Sequence, residues 1–179
     1  NDYGLGFYCT ENLELAKEWA SSSDTDGFAN EYVLNWDGLT VCDLGKGHNI
    51  LNWMAVLVKN RTFDLTNVIA ENARAYLLDN FLPHYEDADI VRGYRADDSY
   101  FTFAKDFLNN TIPLDTLAEA MKLGKLGEQI VIKSEKAFEA ITFVEGHRTD
   151  NMIYYPKRAS RDRTAREEYQ ERRRQFDPI

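Results

Sequence analysis

The sequence predicts an α+β fold. Strand-like stretches mostly follow one another directly, and helices with apolar positions three and four apart are inserted among them, so there is no clean βαβ alternation. Composition agrees: 44% hydrophobic and 28% charged residues over 179 positions is the balance of a folded chain, not a disordered one. That length suits one domain and leaves room for two small ones.

Along the chain, Thr10 is placed to cap a helix over residues 11–20, with Glu11 and Glu14 near the positive end of its dipole. Leu13, Ala16 and Ala20 form one stripe and Leu15 with Trp19 a second, before the Ser/Asp/Gly run at 21–27 ends the helix. "ANEYVLNW" (29–36) alternates as a strand, "LTVCDL" (39–44) reads as another, and Asp37-Gly38 predicts a hairpin turn between them. Residues 50–59 and 66–82 predict helices. "ADIVRGY" (88–94) is a short strand, 96–108 a helix with Asp97 and Asp98 as candidate caps, and Pro113 opens a helix over 113–123. "EQIVIKS" (128–134) and "AITFVE" (140–145) are two more strands, with a short turn around 134–138. After "TDNMIYYP" (149–156), which reads as a linker, residues 157–174 hold eight bases and four acids, a polar helix or frayed extension. The organisation expected is a domain over 1–150 and a polar, helical extension over 151–179.

The formal charge of −9 argues against sequence-independent binding to nucleic acid or anionic membrane and favours a small molecule or a protein as partner. The interspersed acids of the basic tail favour a solvated helix with i,i+4 pairs over a nucleic-acid-binding arm. Cys9 and Cys42 lie in apolar stretches and are too few for a disulfide framework. No signal peptide or membrane-length apolar run is present, so the expected location is a reducing cytoplasm. The chain starts without an initiator Met, in the middle of a motif, which implies residues upstream of Asn1.

The strong chemical signatures do not occur: there is no P-loop, dinucleotide fingerprint, zinc pair or nucleophile elbow. His48, His84 and His147 stand far apart without acids or cysteines at ligand spacing, so no metal site is expected. The opening stretch is different. "DYGLGFYCTENLELAKEWA" (2–20) crowds two glycines and two aromatics into a turn that runs into a helix bearing Trp19, eleven residues after Tyr8.

That stretch resembles the second motif of the ADP-ribosyltransferase superfamily, and more closely a bacterial family, domain of unknown function 3990. With that family it shares the "G-x-G-F-Y-x-T" start, the "A-K-x-W-A" helix, the "DIVRGYRADD" strand and the "QIVIKSEKA" strand, in the same order. The resemblance implies a split β-sheet core with inserted helices. It implies cleavage of nicotinamide from NAD, as co-substrate, with transfer of ADP-ribose to a protein, nucleic acid or water. Gly6, Tyr8, Thr10 and Trp19 would form the cofactor-binding turn, with the nicotinamide stacked between Tyr8 and Trp19. The chemistry suits such groups: a flat neutral ring departs while oxocarbenium-like charge grows on a ribose. Glycines beside the aromatics let a ligand approach the backbone. Read without the resemblance, Phe7, Tyr8 and Trp19 are core aromatics.

The superfamily's last catalytic motif is a Glu or Gln at the start of a strand, and Glu128 and Gln129 both stand there. Adjacent strand residues face opposite sides, so one of them enters the cleft. Glu128 shares its face with Ile130 and Ile132, which reads as the core side, leaving Gln129 on the mixed side with Val131 and Lys133. Spacing to "SEKA" also selects Gln129, whereas the register of the polymerase motif selects Glu128. A glutamine keeps the hydrogen bond to a ribose hydroxyl but not the negative charge, which makes Asp97 and Asp98 alternative acids. The superfamily's first motif, a His or Arg on an upstream strand, is not among residues 1–7. A degenerate member that serves as a protein-interaction module is therefore the second expectation.

Overall fold

The computed structural model describes residues 1–65, 67–96, 98–123 and 127–176, without the side chains of residues 98, 99, 175 and 176. In chain order the elements are β1 (Phe7–Cys9), α1 (Leu13–Ala20), β2 (Gly27–Leu34), β3 (Val41–Asp43), α2 (Ile50–Asn60) and α3 (Val68–Phe81). These are followed by β4 (Ile90–Tyr94), α4 (Asp98–Leu108), α5 (Leu114–Ala120), β5 (Glu128–Ile132), α6 (Glu135–Glu139), β6 (Ile141–Thr149) and α7 (Asn151–Phe176). The strands form a four-stranded sheet in the order β1-β5-β4-β3 and a separate antiparallel pair, β2-β6. The architecture is α+β, as the sequence predicts. Among the described residues no helix is long and apolar enough to cross a membrane.

Helix α2 explains why the four-stranded sheet exists. Its residues 53–58 expose no surface at all, so the helix is buried on every side and needs neighbours all round. Val91 and Val131 of the sheet cover one side of it, and buried residues of α3, α4, α5 and α7 complete the same cluster. A reciprocal Asn49–Asn52 capping box starts the helix.

Four expectations need correction. The 29–36 and 39–44 strands are not a hairpin: β2 pairs with β6, and β3 lies parallel to β4 across the α2–α3 crossover. Turn chemistry at Asp37-Gly38 reports a reversal but not its partner strands. Thr10 is not the cap of α1; Asn12 Oδ1 accepts from the Leu15 N–H at 3.1 Å, and Thr10 Oγ1 accepts from the Asn12 N–H at 3.3 Å. The 134–138 turn is a short helix, capped by Ser134. Residues 149–156 are no linker, because β6 runs to Thr149 and α7 begins at Asn151.

The tail is docked, not frayed. Ala165 and Tyr169 of α7 lie in the main core, and the Tyr169 hydroxyl donates to Asp106 at 2.7 Å. Arg161 grips the buried Glu18 of α1 with two hydrogen bonds of 3.0 and 2.8 Å. The sequence reading expects a helix here but not its docking, because the helix is polar nearly all round and packs through a few small or anchored residues.

Two of the family-like blocks meet in a clasp at the end of the sheet. Asp89 accepts from the Thr40 N–H and hydroxyl at 2.8 and 2.9 Å and from the Ser134 hydroxyl at 2.6 Å. These bonds, Ser134 foremost, hold the Asp89 carboxyl down to a pKa of about 2. The unfolded carboxyl titrates near about 3.9, so this contribution is complete above that pH and is lost as pH falls through about 2.

The N-terminal residues are pinned as firmly. The Tyr3 side chain is fully buried; its hydroxyl donates to the Tyr94 carbonyl at 2.5 Å and accepts from Trp53 Nε1 at 2.9 Å. A Cβ at Gly93 would strike that hydroxyl, which accounts for the glycine in the "DIVRGY" block.

Two outcomes are expected. Asp89→Asn unfolds more easily at neutral pH and shows a shallower loss of thermal midpoint between about pH 4 and 2 than wild type; an unchanged acid limb would contradict the clasp. Tyr3→Phe costs about 1–2 kcal/mol in urea unfolding, because it removes a buried hydroxyl that serves two partners; an unchanged midpoint would remove Tyr3 from this role.

Candidate active site

Strand register decides which predicted residues meet. Tyr8 lies directly opposite Val131 across the β1–β5 pair, so it shares a face with Val131 and Gln129, while Phe7 and Cys9 oppose Ile132 and Ile130 on the other. Both faces are covered: Val131 packs in the larger core, and Ile130 with Ile132 in a smaller one that includes Ala137. The expectation that the all-apolar side of β5 is the core side and the Gln129 side is not is thus incomplete, since a sheet between two layers has no free face.

Tyr8 and Gln129 both line a cavity of about 700 Å³, a size common for small-ligand sites. Asp2, Arg61, Arg95 and Ala96 form further walls, and Tyr155, Arg158, Ala159 and Asp162 of α7 close one side. Three arginines thus gather around one opening in a chain whose net charge is −9.

Asp2 organises the floor. It is buried; Oδ1 accepts from Arg61 at 2.9 Å, and Oδ2 accepts from the Ala96 N–H at 3.0 Å and from Gln129 Nε2 at 2.8 Å. An ionised carboxylate can only accept, so this contact fixes the Gln129 amide with its nitrogen toward Asp2. Gln129 Nε2 also donates to the Tyr94 carbonyl at 3.4 Å.

Tyr8 is half-buried, and its hydroxyl accepts from the Tyr3 N–H at 3.0 Å and donates to the Gly4 carbonyl at 2.7 Å. Burial raises its pKa to about 12, so the phenol stays protonated at neutral pH and offers a ring wall, not a base. Burial likewise raises the Cys9 thiol to about 11, far from a thiolate nucleophile.

The other predicted residues lie elsewhere. Trp19 does not line the cavity; the Arg95 guanidinium lies 4.6 Å from its ring centroid, and its buried Nε1 has no hydrogen-bond partner among the described residues. Gly6 is pressed against β5: a Cβ there would meet Val131 and the Ile132 carbonyl, so close approach to a strand is what requires the glycine. Thr10 lines a different cavity of about 380 Å³ beside Phe7, Cys9 and Ile130. Glu128 is on the opposite face from Gln129, where Arg92 donates to its Oε2 from Nε at 2.9 Å and from NH2 at 2.7 Å. Asp97 and the side chain of Asp98 lie outside the described residues.

Sequence reasoning missed Asp2 and the three arginines. Asp2 and Arg95 stand inside quoted blocks, but only their meeting across the sheet gives them significance. It also missed the grouping of His147 with two acids. His147 Nε2 lies 2.8 Å from Glu31 and 3.9 Å from Glu145, because β2 and β6 pair across more than a hundred residues.

No match was found among curated proteins or among solved structures. A protein-family model described as "Protein of unknown function (DUF3990)" matches residues 1–143, from the Asp2–Tyr3 anchor through β5 and the start of β6. With four-fifths of its length matched in this way, the chain belongs to the DUF3990 family.

Proposed function

We propose that this protein is an ADP-ribosyltransferase-like enzyme that splits nicotinamide from NAD and passes ADP-ribose to a macromolecular acceptor or to water. The observation that carries the reading is that Tyr8 and Gln129, over a hundred residues apart, line one cavity with arginines around it. Tyr8 supplies a flat wall for the nicotinamide ring. Gln129, oriented by Asp2, accepts a hydrogen bond from a ribose hydroxyl and holds the sugar while its anomeric carbon becomes cationic. The glycosidic C–N bond breaks, its electron pair leaves with nicotinamide, and the oxygen of the acceptor or water bonds to the anomeric carbon and releases a proton. The arrangement of a four-stranded and a two-stranded sheet is compatible with the split core of that superfamily.

Two observations favour a second reading, a binding module without turnover. Gln129 is neutral, and Trp19, the expected second wall of a nicotinamide sandwich, is covered by Arg95. In that case ligand binding persists but nicotinamide is never released.

The expected outcome is that millimolar NAD raises the thermal midpoint and nicotinamide appears in solution, detected by chromatography. Gln129→Ala lowers the release rate on the order of a hundredfold. Tyr8→Phe, which keeps the ring, lowers stability but retains release. Stabilisation without release selects the binding module; neither stabilisation nor release discards both readings.

A further inference from the structure

We infer that α7, which lies beyond the family-matched residues, completes the cavity as a phosphate clamp, with Arg158 as its contact residue. The inference rests on the proposed use of this cavity and extends it to an element that the family match does not reach.

The geometry of α7 points there. Tyr155, Arg158, Ala159 and Asp162 follow helical spacing and present one face to the cavity, while Arg161, Ala165 and Tyr169 anchor the helix to α1 and the core. This anchoring holds the cavity face in place.

The charges on that wall differ in availability. The carboxylates are engaged: Asp2 by Arg61, Ala96 and Gln129, and Asp162 by Arg166 at 3.0 Å. Arg61 binds Asp2, and Arg95 lies on Trp19. Elsewhere on α7, Lys157 pairs with Glu14, Arg161 with Glu18, Arg172 with Glu119 and Arg173 with Asp106. Arg158 makes no ion pair or hydrogen bond among the described residues. An exposed guanidinium without a carboxylate, at a cavity already bearing two others, suits a ligand that brings its own anion. A fork of N–H donors matches phosphate oxygens better than a point charge would. Under the proposed use of this cavity, that anion is the pyrophosphate of the non-reacting half of a dinucleotide.

The test uses the full chain, with ADP-ribose and inorganic pyrophosphate as probes and calorimetric titration as the readout. Both bind wild type. Arg158→Ala weakens ADP-ribose on the order of tenfold, as loss of one charge-assisted contact would, and Arg158→Glu weakens it further. Arg163→Ala, one residue past the cavity face, leaves binding unchanged. Equal affinity of wild type and Arg158→Glu for ADP-ribose, or no binding of either probe to wild type, overturns the clamp. Arg158-dependent ADP-ribose binding without nicotinamide release upholds the clamp while the transfer reaction fails. Nicotinamide release with a KM for NAD indifferent to Arg158→Glu upholds the reaction and overturns the clamp.

Discussion

The Tyr3 hydroxyl is the contact on which this architecture turns. It joins three elements at one oxygen: the N-terminal segment, helix α2 through Trp53, and strand β4 through the Tyr94 carbonyl. A phenol in a fully buried position is costly unless its oxygen is satisfied, and here it both donates and accepts. Burial, with the neighbouring Asp2 carboxylate, pushes its pKa well up, so the contact stays neutral and persists across ordinary pH. With Tyr3 in place, the preceding carboxylate is carried to Arg61, Ala96 and Gln129, and the cavity acquires its floor.

This anchor changes the meaning of the crowded "DYGLGFY" turn. Its tightness follows from protein contacts. The Tyr8 hydroxyl closes the turn onto Tyr3 and Gly4, and Gly6 lets the chain lie against β5. The other quoted blocks divide in the same way. Asp89, Ser134 and Gly93 are structural, forming a clasp or making room, whereas Arg95 and Gln129 face the cavity. A single short block therefore contains both a packing requirement and a cavity-lining residue, two residues apart in the case of Gly93 and Arg95.

The site was legible in the sequence to a definite depth. Alternation along β5 separates Glu128 from Gln129, and the aromatic turn draws attention to Tyr8. Trp19 was harder, because helical spacing places a ring on a face without saying what covers it, and Arg95 does so from a loop seventy-six residues away. The docking of α7 escaped for a related reason. A helix recognised by an apolar stripe must have one, and this one is held by the Arg161–Glu18 pair, Ala165 and Tyr169.

What the sequence determined by itself was local: helices from apolar spacing, strands from alternation, the α+β class from their order, and the two faces of β5. These follow from interactions a few residues in range, which periodicity records. Tertiary structure decided which strands pair, that β2 joins β6 and not β3, and that α7 belongs to the cavity. It also decided that Asp2, Arg61, Arg95, Gln129 and Arg158 share one space. Such meetings depend on the whole chain folding around the buried helix α2, and no spacing along the sequence encodes them.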